Sequence, residues 1–560
     1  MLSYITPILF SASLVSAISY WLVSRGRKEF FIPARVTFHI ATIGTMVAAA
    51  ILMYLIQTDQ FQYSYVWHYS SRELSTIFKY SAFYTGQEGS FLLWALYIGV
   101  IGIVLMQYAA KQKYEVQVMR VFVMVQAFLL LMIVVKNPFI YIWQAMPQAT
   151  VGFVPRDGFG LNPLLQNYWI AIHPPMLFLG FASMTVPFVF AVAGLQKRDY
   201  QGWITTAMPW VLFGSMILGF GIMLGGFWAY ETLGWGGFWG WDPVENSSLI
   251  PWLACIALVH TMLTQKRTKG LVKTNFVLAI FTFLLVLYST FLTRSGVLGS
   301  ASNHSFEDPG MYAYVLLLVF IAIFAAIGIV PLVRRAKDLI PLGKEYKVYS
   351  RETALGIGSA VLAACAVIVL LGTSWPIFAK AAVDVSYYNN LNLPIAIIIG
   401  LLNGLALLLK WRTTAPKELF KHSMFALIAA FVATVFIIWF GLNDIRFILL
   451  TFASFFALFV NVQIGYRIAQ GNRRFIGAYV SHFGVSLLFL GIVATAHYSE
   501  KASIELTQGQ EASALGYKFT FLGKQQIETD KVDREKYLYN IKITKGNEDF
   551  IVHPVVFWSE

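Results

Sequence analysis

The densest group of residues able to bind a flat ligand lies between positions 228 and 252, in the sequence WAYETLGWGGFWGWDPVENSSLIPW. Five tryptophans alternate there with glycines and three carboxylates. A helix facing lipid would not carry the carboxylates, because each costs a few kcal/mol at membrane depth. Glycines let the backbone approach a flat ligand between aromatic walls. The pattern predicts an aromatic platform, and the alternative is an ordinary belt of interfacial tryptophans. Its assigned residues are Trp228, Trp235, Gly236, Gly237, Trp239, Trp241, Asp242 and Glu245.

Membrane-spanning helices must position these residues, because the composition is that of a membrane protein. Of 560 residues, 58% are hydrophobic and only 12% are charged, which excludes an ordinary soluble domain. Residues 1–497 are predicted to form an all-α polytopic membrane domain, and the polar residues 498–560 a small outer-face β domain. Apolar runs long enough for a span of about 20 residues start near Tyr4, Val36, Phe91, Val118, Tyr168, Met208, Ser248, Thr274, Tyr312, Thr353, Leu393, Met424, Arg446 and Phe475.

The basic residues predict the orientation of these fourteen spans. If the N-terminus is outside and the loops alternate, inside loops carry 25 of the 41 Lys and Arg residues and outside loops carry 7. This bias is a strong orientation signal. The net charge of +13 therefore reflects topology, and no nucleic-acid partner is predicted. The first apolar run has no basic leader and no cleavage site, so we expect a retained span rather than a signal peptide.

Two histidines flank the tryptophan segment in sequence and are predicted to lie on the outer side. His173 stands in WIAIHPPMLFLG, where two prolines are expected to kink the fifth span, and His304 stands in TRSGVLGSASNHSFEDPG. Such a pair could supply axial imidazoles to both faces of a macrocycle. Arg294, at the start of the second segment, could pair with a propionate. The alternatives are a hydrogen-bonded interfacial histidine and a solvated loop arginine.

A second pair of histidines is predicted deeper in the membrane. His260 lies toward the inner end of the seventh span, and His482 lies at a similar depth in the fourteenth. Intramembrane histidines suggest function, and two at one level could ligate a low-spin haem. His39 is a competing partner at the inner end of its own span. The alternative is a histidine hydrogen-bonded between helices.

Cysteines and the C-terminal segment add further limits. Cys255 and Cys365 fall inside spans and far apart, so we expect buried free thiols without a disulfide or a CxxC metal site. No CxxCH occurs, so any haem would be held non-covalently. Alternating residues at 517–523, 535–546 and 548–557 predict short strands.

The motifs resemble those of a known family. WGGFWGWDPVEN closely matches the WGxxWxWDxxE signature of membrane proteins that attach or export haem. Together with QEGSFLLW, DGFGLNPLLQ, HPPMLFLG and TRSGVLGSASNHSFEDPG, it resembles the cytochrome c haem lyase family, CcmF, of the System I pathway, over about residues 83–497. The signature alone would also admit the pathway's exporter subunit and the System II synthase. The family usually has a further span after its outer domain, and none follows residue 498 here.

The resemblance implies a thioether-forming haem lyase of the bacterial cytoplasmic membrane. Haem from a haem chaperone would bind at the outer platform as substrate, ligated by His173 and His304. It would then be joined to the CxxCH of an apocytochrome c brought by presenting and thiol-reducing subunits. Trp239 and Asp242 are assigned to the catalytic site with the two histidines. Since no residue stands out as a general acid, catalysis is predicted to be positioning of two reactants.

The family pattern also implies a resident b-type haem. It assigns the iron ligands to His260 and His482, in preference to His39. This haem would relay electrons toward the outer site from a donor, for example a quinol.

The sequence supports three other functions less well than this one. A haem exporter or haem-loading protein of the same superfamily would lack the ligase chemistry. An ion-coupled transporter would carry charged residues in mid-span as relays, but spans nine, ten and twelve have none in their middles. A purely structural subunit is disfavoured by four histidines at two matched levels.

Overall fold

The computed structural model describes residues 2–233, 237–299, 302, 310–341, 347–379, 381–500, 502–529 and 534–559. Within these ranges, fourteen helical segments are long and apolar enough to cross a membrane. The chain is thus a multi-pass membrane protein, and the prediction of an all-α polytopic fold with about fourteen spans is confirmed.

The helices are α1 (Ile5–Ser24), α2 (Phe31–Gln57), α3 (Ser64–Tyr69), α4 (Thr76–Thr85), α5 (Gln87–Lys111), α6 (Glu115–Val135), α7 (Ile142–Ala145), α8 (His173–Ser183), α9 (Thr185–Lys197), α10 (Trp203–Thr232), α11 (Pro243–Thr268), α12 (Val272–Arg294), α13 (Met311–Arg335), α14 (Arg351–Ala379), α15 (Val385–Leu408), α16 (Pro416–Trp439), α17 (Ile445–Gly471) and α18 (Gly477–Tyr498). Short 3-10 turns occur at Leu2–Tyr4, Lys28–Phe30, Pro163–Leu165, Tyr168–Ala171 and Arg473–Phe475.

Several helices begin earlier than their apolar runs suggested. α15 begins at Val385, whereas its predicted span began near Leu393, and α16 begins at Pro416 rather than near Met424. The side chain of Asp384 accepts a hydrogen bond from the Ser386 amide, which caps α15. The first turn of a helix that begins with a capping residue or a proline is polar but still helical. A prediction from hydropathy alone therefore places the start of these helices too late.

The fifth span consists of two helices, and its prolines act differently from the prediction. Pro174 and Pro175 occupy the first turn of α8, directly after His173. Proline suits this position, because its missing N–H would have no partner inside the helix. The prolines therefore start α8 and do not kink it, so the predicted kink is wrong. The span is interrupted instead at Met184, between α8 and α9.

α11 joins two groups of helices. The largest buried core draws on helices from α1 to α13 and includes the fully buried Trp94 and Trp203. On its other side α11 packs against α14, where Leu253 contacts a second core around Val369. α15, α16 and α17 pack against one another beyond α14. α11, whose first turns belong to the tryptophan segment, therefore connects the two groups of helices.

Alternation of the spans gives the bundle two ends, which we name here. The platform end is where α10 ends and α11 and α15 begin. The basic end is where α1, α9 and α13 end and α6 and α18 begin. His260 and His482 lie toward the basic end, and His173 lies at the platform end.

The chain divides into two compact units, Met1–Phe489 and Leu490–Glu560. The division falls within α18, whereas the sequence predicts the boundary at the end of that helix. The second unit holds a five-stranded antiparallel sheet in the order β1-β2-β3-β4, with β5 also paired to β3. The strands are β1 (Glu511–Ala514), β2 (Tyr517–Ile527), β3 (Arg534–Lys545), β4 (Glu548–Val552) and β5 (Val555–Ser559).

The small C-terminal β domain is confirmed, with two differences in its strands. The predicted strand at 548–557 is two strands, interrupted at His553 and Pro554. Proline has no N–H for the ladder, so the break falls there. β1, with the sequence EASA, was not predicted because it is short and carries no large apolar residue.

Candidate functional site

The tryptophan segment is two helix ends joined by a loop. α10 continues through Trp228 to Thr232, and α11 begins at Pro243 and includes Trp252. Only residues between 232 and 243 lie outside these helices, and of them 234–236 are outside the described residues. The predicted platform residues Trp235 and Gly236 fall in that gap.

Trp228 supports the neighbouring loop and is 5% exposed. Its indole Nε1 donates to the carbonyl of Leu164 at 3.0 Å. It packs in a small core with Ile170 and Leu233. Trp228 therefore anchors the DGFGLNPLLQ segment to α10.

The two carboxylates of the platform hold the loop in shape. Asp242 caps α11: its Oδ1 accepts from the Val244 amide at 2.8 Å and from the Ser302 hydroxyl at 2.9 Å. Oε2 of Glu245 accepts from the amide of Gly240 at 3.1 Å. Carboxylates at a helix N-terminus are stabilised by the free amides and the helix dipole. Both groups thus orient the loop.

Trp241 is held from the side of α15. Its φ of 55° lies in the left-handed region, which is unfavourable for a large side chain. Its ring stacks on Tyr388, with centroids 4.9 Å apart and planes 7° apart, and its Nε1 donates to Asn389 at 2.8 Å. These contacts compensate the backbone strain and fix the indole.

Trp239 stands perpendicular to Trp241, with ring centroids 6.1 Å apart and planes at 89°. Its Nε1 is buried and has no hydrogen-bond partner among the described residues. A buried donor without a partner costs about 1–3 kcal/mol. Among the described residues of this loop, Trp239 is therefore the indole whose N–H is available to a ligand.

His173 packs closely on α10 beside the loop. Its Nδ1 lies 2.7 Å from the carbonyl oxygen of Gly221. Since a carbonyl can only accept, Nδ1 carries the proton and the neutral ring keeps its lone pair on Nε2. A Cβ on Gly225 would come within 2.5 Å of the imidazole, and a Cβ on Gly226 within 2.4 Å of the Phe238 ring. Adjacent glycines thus let His173 and an aromatic ring of the loop each approach α10 closely.

Arg294 is buried inside the bundle and is 5% exposed. Its guanidinium lies 5.2 Å from the ring centroids of both Phe91 and Phe178, and Nη1 donates to the Ser90 hydroxyl at 2.5 Å. The alternative of a solvated loop arginine is wrong. The cation binds the QEGSFLLW segment, which explains why the two motifs occur together.

The chain just before the QEGSFLLW segment is held by a buried tyrosine. The phenol of Tyr65 donates to the carbonyls of Ala82 and Phe83, each at 2.9 Å, and accepts from the Gly86 amide at 3.1 Å. Burial raises the pKa of Tyr65 well above its usual range. The phenol therefore stays neutral and keeps its hydrogen to donate.

His304 is outside the described residues, so its predicted pairing with His173 stays a prediction. Its described neighbour Ser302 donates its hydroxyl to Asp242. The chain two residues before His304 is therefore tied to the N-terminus of α11.

His260 and His482 meet inside the bundle. Their ring centroids are 6.1 Å apart and their planes are inclined by 27°. Nδ1 of His260 donates to the Ile256 carbonyl at 2.8 Å, within its own helix, and Nδ1 of His482 is buried without a partner among the described residues. Neither Nδ1 makes the interhelical hydrogen bond that the alternative required. His39 lies on α2 against Phe38.

This pair fits a metal held between two imidazoles. Two metal–nitrogen bonds of about 2 Å each, together with the distances from each nitrogen to its ring centre, require a centroid separation near the observed 6.1 Å. Metal-binding histidines usually donate their other N–H to a backbone carbonyl, as His260 does. Two half-buried imidazoles that face each other between helices suit a haem iron. Among the described residues, no cluster of three or more His, Cys, Asp or Glu could hold a metal ion.

Polar residues position His482. α18 makes few close contacts, but the Asn403 amide of α15 donates to the carbonyl of His482 at 3.0 Å and to the Ser486 hydroxyl at 3.3 Å. Asn461 of α17 donates to Asn403 at 3.4 Å. This chain of amides sets the distance between His482 and the remaining helices.

Sequence reasoning missed Asn403, Tyr388, Asn389 and Phe238. Asn403 and Asn461 stand mid-span, where polar amides are uncommon, and this was the available signal. Nothing in the sequence pairs Tyr388 or Asn389 with Trp241, because the contact joins helices far apart in the chain.

Fold and site together define a polytopic membrane protein with a half-buried histidine pair inside the bundle and an aromatic loop at one end. The family model described as Cytochrome C assembly protein matches residues 84–298. The cytochrome c-type biogenesis protein CcmF of Pseudomonas fluorescens is 32% identical over 91% of this chain and 78% of its own length. CcmF of Escherichia coli is 28% identical over 92% and 80%.

A solved structure of the cytochrome c heme lyase CcmF shares the fold. It matches with a TM-score of 0.75 over 100% of this chain and 86% of that one, at 24% identity. The chain belongs to the CcmF family of cytochrome c-type biogenesis proteins. The resemblance stated from the motifs is thereby confirmed.

Proposed function

We propose that this protein is the haem lyase of cytochrome c maturation, attaching haem to the CxxCH of apocytochrome c at the platform end. The observation that carries the proposal is the position of His173. Its imidazole packs against α10 at Gly225, next in sequence to Gly226, where Phe238 of the tryptophan-rich loop packs, in a chain that belongs to the CcmF family. A ligand for iron thus stands on the same stretch of α10 as an aromatic residue of the loop.

The substrate haem binds between the loop and two imidazoles. His173, with its Nδ1 proton donated to Gly221, offers Nε2 to the iron. His304 is the second ligand, on the segment that Ser302 ties to Asp242. Trp239 and Trp241 flank the porphyrin, and the buried N–H of Trp239 is available to its propionates. Gly236 and Gly237 let the backbone approach, next to Trp235.

Several residues assigned to the site do not contact the haem in this proposal and act by holding other residues in place. Asp242 and Glu245 hold the loop, Trp228 holds the segment beside it, and Arg294 holds the start of α5. They are positioning residues in this proposal. Their role is to keep the loop rigid, since a site that misplaces its reactants by about 1 Å can lose about 100-fold in rate.

Thioether formation needs two reactants held together. Each cysteine S–H adds across a vinyl C=C of the haem, so that one C–S bond and one C–H bond form and no net oxidant is needed. The thiols must be reduced, and the haem iron is ferrous in this family's reaction. The protein contributes position and exclusion of water.

His260 and His482 hold a resident b-type haem. When bound, this group supplies one-electron transfer, with a quinol as a suitable donor. Its ligands face each other across the interior of the helix bundle, so the outer site and the resident haem occupy different levels of one bundle.

The location follows from charge and composition. The basic end faces the cytoplasm and the platform end faces outward across the bacterial cytoplasmic membrane, as the loop charges predict. The N-terminus and the β domain are then on the outer side. Haem arrives from a haem chaperone, and the apocytochrome arrives with its presenting and thiol-reducing subunits.

The experiment is reconstitution of the purified protein with haem, a reductant and a CxxCH peptide. Covalent haem on the peptide is expected, and a preparation that binds haem without forming thioether would be a haem carrier. His173→Ala or His304→Ala should reduce the covalent product to background while the b-type absorption of the resident haem stays. Loss of both signals together would contradict the division into two sites.

A further inference from the structure

A groove of about 1240 Å³ lies at the basic end, between α1, α6, α9 and α13. It has no part in either histidine site. Small-molecule pockets usually measure about 300–1,000 Å³, so this groove suits a larger amphiphile. The walls toward the middle of the bundle are apolar, with Leu14, Ile18 and Trp21 on α1 being 44–50% exposed. The groove is therefore open on the side where lipid chains would lie.

The charges in the groove are of one sign. Its lining contains Arg120, Lys197, Arg334 and Arg335, and no Asp or Glu among the lining residues. All four cations lie at the basic end, because α6 begins there and α9 and α13 end there. A groove with a cationic mouth and apolar walls is complementary to an anionic head group with acyl chains.

Among the described residues, Arg335 is the one cation of these four with a carboxylate partner. Arg120 lies inside α6, and Nη1 donates to the Ser24 hydroxyl at 3.0 Å. Lys197 donates to the carbonyl of Lys113 at 2.6 Å, and Arg335 contacts Asp338 at 3.5 Å. A cation inside a span is costly unless it is paired or reaches water. A phosphate would pair with Arg120 where a neutral hydroxyl now does.

We propose that this groove binds an anionic phospholipid from the leaflet at the basic end. Its phosphate meets Arg120 and Arg334, and its acyl chains lie against α1 and α13. An iron porphyrin is also an anionic amphiphile. However, no His, Cys or Tyr stands among the lining residues, and Met124, the one lining residue that could ligate iron, ordinarily does so together with a histidine.

The test measures lipid retention by native mass spectrometry of the full-length protein, delipidated and then given equal amounts of dioleoylphosphatidylglycerol and dioleoylphosphatidylcholine. At least tenfold preference for the anionic lipid is expected. Arg334→Gln with Arg335→Gln should remove the preference. The matched control, Arg473→Gln with Arg474→Gln, makes the same charge change at the same end on exposed residues and should keep it.

Equal retention of the two lipids, or equal loss in both double variants, would overturn the proposal, because general attraction to basic loops would then suffice. Displacement of the bound lipid by equimolar haem would also overturn it, in favour of a porphyrin site. If the groove double variant does not fold, Ala326→Trp narrows the groove from an exposed lining position without changing charge. That variant should lose at least tenfold in retention, and unchanged retention would again overturn the proposal.

Discussion

The histidine pair and the aromatic loop are built in opposite ways. His260 and His482 stand within helices α11 and α18, so their separation depends on how these two helices are held in the bundle. The loop stands between the end of α10 and the start of α11, and its shape depends on capping bonds and stacked rings. Side chains on helices are held more precisely than those on loops.

This difference suits the two proposed uses, a resident haem at the histidine pair and a substrate haem at the aromatic loop. A resident group benefits from a site that stays formed, with ligands on packed helices. A substrate that must enter and leave needs a site that can open, and binding sites are disproportionately found on loops carried by a rigid scaffold. The loop is tied down at Asp242 and Trp241, while the Nε1 of Trp239 has no partner among the described residues. The tied residues would give rigidity, and Trp239 would meet the ligand.

Removal of the two histidines of the deep pair is expected to have the largest effect. His260→Ala or His482→Ala should abolish the b-type absorption spectrum of the purified protein, because the two imidazoles would together hold the proposed resident haem. Reduced-minus-oxidised spectra measure this loss. His39→Ala is the matched control, since His39 is a half-buried histidine on α2, and it should leave the spectrum unchanged. An unaltered spectrum in both deep variants would remove the resident-haem assignment.

A second substitution sharpens the outer half of the comparison. In Gly225→Ala, the new Cβ would come within 2.5 Å of the His173 imidazole, so the ring must move. Covalent haem on a co-expressed cytochrome c should fall by about 10- to 100-fold, because small misplacements are costly in positioned reactions. Gly356→Ala is the control, since no atom lies within 4 Å of its Cβ position. The b-type spectrum should persist in both variants, and its loss in Gly225→Ala would mean that the two sites are not independent.

Local rules were enough to predict the spans and the level of the histidine pair. Hydropathy predicted the fourteen membrane-spanning segments found among the described residues, and helix rise alone placed His260 and His482 at one depth. The same rules predicted the wrong effect for the prolines after His173, because a proline that starts a helix and one that kinks it look alike in sequence. Arg294 was ambiguous because its burial depends on Phe91 and Phe178, which come from other helices. Contacts between distant helices leave no periodic signal, so Tyr388 and Asn403 were missed.

The smallest expected effect tests whether the deep site depends on the polar contacts of α18. Asn403→Leu keeps the side-chain volume similar but removes the bond to the His482 carbonyl, which is worth about 0.5–1.5 kcal/mol. Since about 1.4 kcal/mol is tenfold in affinity, haem should dissociate from the variant about 2- to 10-fold more readily, as measured by transfer to apomyoglobin. Asn461→Leu, whose bond to Asn403 is longer at 3.4 Å, should change the affinity less than Asn403→Leu does. If Asn403→Leu holds its haem as tightly as the wild type, packing alone fixes His482, and the deep site is more rigid than its few contacts imply.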